Sequence, residues 1–100
     1  MPTLVAMLWP HPGQEQALIE YEDAVLALLP TYGCRVISRV RRTDSSDGPF
    51  EVQIIEYPSE DAVAAYMIDP TRVALADVHA RAIERTQVVP VAVVEPVETA

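Results

Sequence analysis

The chain has little of what most cofactor and metal chemistry requires. Of its 100 residues only three are glycine, and none forms a phosphate-cradling motif, which argues against nucleotide binding by that route. A single cysteine cannot close an internal disulfide. The two histidines, His11 and His79, lie far apart in sequence with no carboxylate cluster, so no protein-built metal site is expected. No Gly-x-Ser-x-Gly elbow occurs. Basic residues are scarce, seven against fifteen acidic, and the net charge of −8 speaks against nucleic acid as a partner. No apolar run approaches the roughly 18 residues of a membrane span. No basic stretch leads into a long apolar one at the start, so neither signal peptide nor membrane is expected, and the expected address is cytoplasmic.

What is present is apolar sequence in regular patterns. Half of the residues are hydrophobic, and the length fits one domain, read as 1–94 with a tail at 95–100. A domain this small buries only about 60–65% of its unfolded surface, so association would enlarge its core.

Thr3–Trp9 is apolar at both parities, which predicts a strand covered on both faces. Gly13–Leu29 reads as an amphipathic helix: Ala17, Leu18, Tyr21, Ala24, Val25, Leu28 and Leu29 share one stripe, and Glu15, Glu20, Glu22 and Asp23 lie off it. Pro30 and Gly33 punctuate its end. Gly33–Arg42 and Phe50–Tyr57 read as strands joined by the loop 43–49. A hairpin register centred on Ser46 sets Arg41 opposite Glu51, Arg39 opposite Gln53 and Ile37 opposite Ile55. Cys34, Val36, Ser38 and Val40 then share an apolar face with Val52 and Ile54. Arg35, Ile37, Arg39 and Arg41 share a mixed one with Gln53, Ile55 and Tyr57.

Ser59 is a natural N-cap, with Glu60 and Asp61 in the first turn behind it. Asp69-Pro70 interrupts the second helical region, because a residue preceding proline is pushed out of the α region and Asp69 can cap a new helix. Two helices at 60–67 and 70–84 are predicted. Thr86–Val94 reads as a strand, and Pro90 within it points to an edge or a bulge.

The order β-α-β-β-α-β with right-handed crossovers predicts an α+β domain, a ferredoxin-like plait with an antiparallel four-stranded sheet and helices on one face. Because the first strand calls for two dry faces, a second copy of the sheet is the simplest cover, and a homodimer is expected.

Certain local sequences fit this layout. Met1–Trp9 runs into Pro12-Gly13 and an acidic amphipathic helix, Tyr32-Gly33 opens the second strand, and Ile55-Glu56-Tyr57-Pro58-Ser59 leads into a helix with Ala64-Ala65-Tyr66. Over about residues 3–94 the chain thereby resembles the dimeric α/β-barrel superfamily. Within it the chain is most similar to a small uncharacterised bacterial branch, and distantly similar to cofactor-independent monooxygenases of antibiotic biosynthesis. Polyketide cyclases, muconolactone isomerases and haem-degrading enzymes share that shape. The resemblance implies a dimer with an interior cavity and, by analogy, oxygenation, cyclisation or isomerisation of an aromatic or polyketide-like compound without a cofactor. It does not imply one chemistry.

Among individual residues, His79 stands out because it lies within the apolar arc of Leu75, Ala76, Val78, Ala80, Ala82 and Ile83. Asp77, Arg81, Glu84 and Arg85 form the polar side. His79 is the candidate acid/base, and Arg72, one heptad earlier, a candidate anion anchor for a small apolar or anionic ligand. The alternative bonds His79 to a backbone carbonyl or a tyrosine hydroxyl and lets Arg72 reach solvent. Arg39 could hold an oxyanion beside Tyr57 if the mixed face lines the dimer interior; otherwise it pairs across the hairpin. Trp9 stands where a pocket mouth would be, and Tyr21 and Tyr66 could each present a hydroxyl to a cavity. Cys34 is expected to be a buried, inert thiol.

Overall fold

The structure, a computed structural model, describes residues 1–95. The tail expected at 95–100 lies, from residue 96 onward, outside the described residues. The elements follow the expected order: β1 (Thr3–Pro10), α1 (Glu15–Leu26), a 3₁₀ turn (Leu29–Tyr32), β2 (Arg35–Arg41), β3 (Glu51–Glu56), α2 (Glu60–Met67), α3 (Pro70–Ala74), α4 (Ala76–Ala82) and β4 (Ile83–Val91). The strands form one antiparallel sheet in the order β2-β3-β1-β4. β1 is central, and the strand carrying Pro90 is an edge, as proline in a strand requires.

Helix ends follow the local chemistry. The Ser59 hydroxyl accepts from the Ala62 amide at 3.2 Å, and the Asp69 carboxylate accepts from the Thr71 and Arg72 amides at 2.8 and 3.3 Å. Helix α1 stops at Leu26 rather than Leu29, because Pro30 cannot continue an α-helix and instead opens the 3₁₀ turn. Gly33 ends that turn at φ 73°, where a Cβ would also meet the Pro58 ring at 3.4 Å.

The helices cover one face of the sheet. Ala6 and Leu8 of β1 meet Leu18, Tyr21 and Val25 of α1 and Ala82 and Ile83 at the α4–β4 junction. A second cluster, Leu29, Cys34 and Ile55, lies under the 3₁₀ turn. The residues of opposite parity, Val5, Met7, Val52, Ile54 and Val89, belong to neither cluster. Val40, opposite Val52, is 56% exposed. An apolar sheet face is therefore left open.

Three expectations are corrected. The register of β2 and β3 is as predicted at Arg41↔Glu51 and Arg39↔Gln53, but a bulge at Ile37 pairs Ile55 with Val36 instead. One extra residue flips the parity beyond it. Val36 joins the covered face, and Arg35 moves to the open one, where it pairs with Glu56 at 3.3 Å. Second, the mixed face does not line a sheet–sheet interior: it is the covered one, and Glu51, Gln53 and Ile55 are buried on it. Third, the predicted helix 70–84 breaks at Leu75, and β4 begins at Ile83 rather than Thr86. Ile83 is extended (φ −113°, ψ 116°) and pairs with Pro10, which places Glu84 and Arg85 on a strand.

Candidate functional site

His79 sits in the last turn of α4, half-buried, against α1. Its ring meets the Tyr21 ring edge-on at 5.2 Å between centroids. Together with Arg72 these two residues line a cavity of about 270 Å³ whose other walls are Met67, Val73 and Ala76. Among the described residues, no hydrogen-bond partner is found for the imidazole or for the Tyr21 hydroxyl. His79 is thus not capped by protein groups, and a cavity stands beside it.

The guanidinium of Arg72 lies over the Tyr66 ring at 5.3 Å. Its Nη1 donates to the Met67 carbonyl at 3.3 Å, and its Nε is out of solvent with no partner. Asp69 positions Arg72 through the cap of α3 and is itself bound by the Tyr32 hydroxyl. That bond holds the Asp69 carboxyl below its usual range and pushes the Tyr32 phenol up.

The electrostatics of the cavity are consistent. Burial, and then the charge of Arg72, push the His79 pKa below its ordinary value, so the ring is neutral at pH 7. Burial raises the Tyr21 phenol, against the opposing pull of Arg72. Burial raises the Tyr66 phenol to about 12, and its hydroxyl donates to the Val25 carbonyl at 3.1 Å. A neutral imidazole, a protonated phenol and a guanidinium therefore line one partly apolar space. Such a set can hold an oxyanion and move a proton.

The other candidates lie elsewhere. Arg39 donates to Glu51 at 2.9 Å and to Asp23 at 2.6 Å, so its charge is already answered. Trp9 is on the open face of the sheet. Its Nε1 donates to the Asp47 carbonyl at 3.1 Å, and Arg85 stacks on its ring at 4.4 Å. With Asp47, Glu84 and Arg85 it lines a separate cleft of about 480 Å³. Tyr57 lines a third, apolar groove of about 310 Å³ between α2 and β4, with Leu4, Val63 and Pro90 among its walls. Cys34 is buried, and burial raises its thiol, as an inert cysteine should be.

Sequence reasoning missed a buried polar network under α1. Glu51 is fully buried and receives Arg41 at 2.8 Å in addition to Arg39. The Gln53 amide donates to both Glu51 and Glu22 at 2.6 Å. Glu22, expected off the buried stripe, is 6% exposed, and burial raises its pKa, opposed first by the Gln53 bond. The signal was present in the alternation Glu51, Gln53, Ile55 opposite Arg39 and Arg41. Its meaning depended on which face the helices cover, and β1, apolar on both, does not say. His11 also has a structural partner: its Nε2 lies 3.1 Å from the Ala80 carbonyl, tying the first loop to α4.

Among the described residues, no group of three or more His, Cys, Asp or Glu side chains is placed to hold a metal ion, and no helix is long and apolar enough to cross a membrane. No family model matches the sequence, and no curated protein matches it. Solved structures do match in shape. One is PA3566 from Pseudomonas aeruginosa, with 15% identity over 94% of this chain and 95% of that one and a TM-score of 0.71. Another is an uncharacterised NIPSNAP domain protein from Burkholderia xenovorans, 18% identical over 99% and 100% of the two chains, TM-score 0.71. A third, from Bacteroides fragilis, is described as a dimeric protein of unknown function and ferredoxin-like fold (16% identity, 90% and 93% coverage, TM-score 0.69). At these identities the likeness shows the fold alone: α+β, ferredoxin-like, with a four-stranded antiparallel sheet.

Proposed function

We propose that the protein is a homodimer paired through the open sheet faces, and that each protomer binds a small organic molecule beside His79. The observation that carries the ligand reading is the convergence of His79, Tyr21 and Arg72 on one cavity, with the imidazole and phenol free of protein partners. In this reading His79 moves the proton, Arg72 and Tyr21 steady the oxygen that gains charge, and Tyr66 backs Arg72. Proton transfer of this kind serves cyclisation or isomerisation directly. The resemblance adds cofactor-independent oxygenation of an aromatic or polyketide-like compound as a third class.

The dimer is supported by the apolar open face, since a contiguous apolar surface of this kind normally marks an interface, and by the dimeric Bacteroides protein of the same fold. A cytoplasmic address is proposed with it, in keeping with a lone buried thiol.

One observation favours a non-catalytic, ligand-binding or accessory dimer instead. Among the described residues, no second group holds the His79 ring in one tautomer, as catalytic histidines usually require. Turnover and binding separate the two. His79→Gln should abolish activity on any substrate found in a screen of aromatic and polyketide-like compounds while ligand binding, though weakened, stays measurable. A variant that binds and turns over as the wild type does would remove His79 from the chemistry. Sedimentation at micromolar concentration tests the dimer, and a clean monomer would refute it.

A further inference from the structure

We infer that the His79 cavity selects a compact organic monoanion, whose carboxylate or enolate oxygens meet the Arg72 guanidinium while its apolar body rests on Met67, Val73 and Ala76. The inference rests on the small-molecule reading of this site and specifies what the site takes.

The first ground is charge pairing. The chain has fifteen acidic side chains and seven basic ones. Arg35, Arg39, Arg41 and Arg42 each lie within reach of a carboxylate. Among the described residues Arg72, Arg81 and Arg85 form no ion pair; Arg81 and Arg85 are exposed, whereas Arg72 is half-buried and feels Glu22 only through space. In so acidic a protein, a half-buried cation without an anion beside it marks a place where the anion comes from outside.

The second ground is the state of the guanidinium. Its Nη1 makes one bond to a neutral carbonyl, one face rests on Tyr66, and its Nε has no partner. A carboxylate is the group that fills a two-nitrogen edge. Because Nε is out of solvent, the guanidinium must turn from the Tyr66 ring to present that edge. The turn exchanges the contact with the Tyr66 ring for a charge-assisted, bidentate pair.

The third ground is what limits the ligand. One cation in a chain of net charge −8 attracts a single negative charge and repels polyanions such as nucleotides. The cavity of about 270 Å³ sets the size. A cavity of about 150 Å³ holds benzene, so there is room for one substituted ring or its aliphatic equivalent. Tyr21 and the neutral His79 supply donors to the anionic oxygens without competing for Arg72.

The test uses sodium benzoate as probe, with benzamide as its neutral counterpart and benzylamine as its cationic one, titrated into isotopically labelled protein. The amides of Tyr21, Val73, Ala76 and His79 and the ring signals of Tyr66 report binding. Benzoate is expected to move these signals and to bind at least about tenfold more tightly than benzamide, with benzylamine weakest. Arg72→Gln should remove the preference for benzoate over benzamide. Arg72→Lys, which keeps the charge but not the fork, should narrow the preference without abolishing it, and it carries the test if the glutamine variant fails to fold. Equal affinities for benzoate and benzamide in the wild type, or a full preference surviving in Arg72→Gln, would overturn the anion inference and leave the cavity reading standing. If no probe moves these signals, the small-molecule reading falls, and this inference with it.

Discussion

Arg39 and Arg72 both bring a guanidinium to helix α1, yet their surroundings differ. Arg39 is held by Asp23 and Glu51, and behind Glu51 stand Arg41, Gln53 and Glu22. Only its Nη2 lacks a partner. Arg72 is held by one backbone carbonyl and an aromatic face. A network that answers nearly all its own charges fixes how elements pack and has little left to offer a ligand. A cation that the protein leaves unanswered beside a cavity is available for one. The sequence shows both as arginines near apolar residues; the difference lies in their partners.

The contrast can be broken most forcefully at Glu51. Glu51→Ala leaves two arginines and the Gln53 amide without their central acceptor and should cost about 3–5 kcal/mol in urea denaturation. Arg72→Met, which removes a cation with no carboxylate partner, should change stability by less than about 1 kcal/mol. Equal losses at the two sites would erase the distinction.

The open face provides the next test. Ile54→Asp places a charge among the apolar residues proposed to meet a second copy, and should weaken the dimer by about 100-fold or more in sedimentation. The melting curve of the monomer should be little affected. A dimer of unchanged affinity would show that association uses another surface.

Smaller effects concern pH. Glu22 has a raised pKa in the folded state, so the native protein holds the proton longer than the unfolded chain. Its contribution is therefore fully present below the ordinary glutamate value and is lost as pH rises through the raised one. Glu22→Gln keeps the acceptor for Gln53 and should flatten that fall, by about 1 kcal/mol or less. A pH profile identical to wild type would mean that Glu22 is not strained by burial.

His79 has the opposite sign. Its folded pKa is depressed, so stability is lost as pH falls below the ordinary histidine value and the unfolded chain takes the proton first. The His79 ring, followed by NMR, should titrate below about 6.5. Its midpoint should rise in Arg72→Gln, where the neighbouring cation is gone. An unmoved midpoint would separate the two residues and weaken the site they are proposed to share.

Much of the fold was legible because its signals are local. Strand parity, the Ser59 and Asp69 caps and the break at Pro70 are each decided within a few residues. The candidate site was legible only in its His79 part, since a histidine on an apolar arc is visible on a helical wheel. What could not be read is what depends on two elements at once. Glu22 is buried because α1 crosses the sheet above Gln53, and no pattern within α1 records that. The bulge at Ile37 has only a faint local mark, the adjacent apolar pair Val36-Ile37 followed by Ser38-Arg39, and the extra residue shows plainly only against β3. Trp9 was expected at a pocket mouth and Tyr57 beside Arg39, but they open onto two different clefts, apart from His79.

The two outer strands share a property that bears on how copies of this protein can meet. β2 is interrupted by its bulge at Ile37, and β4 carries Pro90, which has no amide to donate. Both sides of the sheet are thus poor templates for another strand. Strand-by-strand addition has no natural end, since each new strand offers a fresh edge to the next arrival. Contact between two flat faces consumes the only surface it needs and leaves none to repeat the step. With its sides blunted and its face apolar, the proposed pairing terminates at two copies: the same defects that spoil the ladder make the assembly finite.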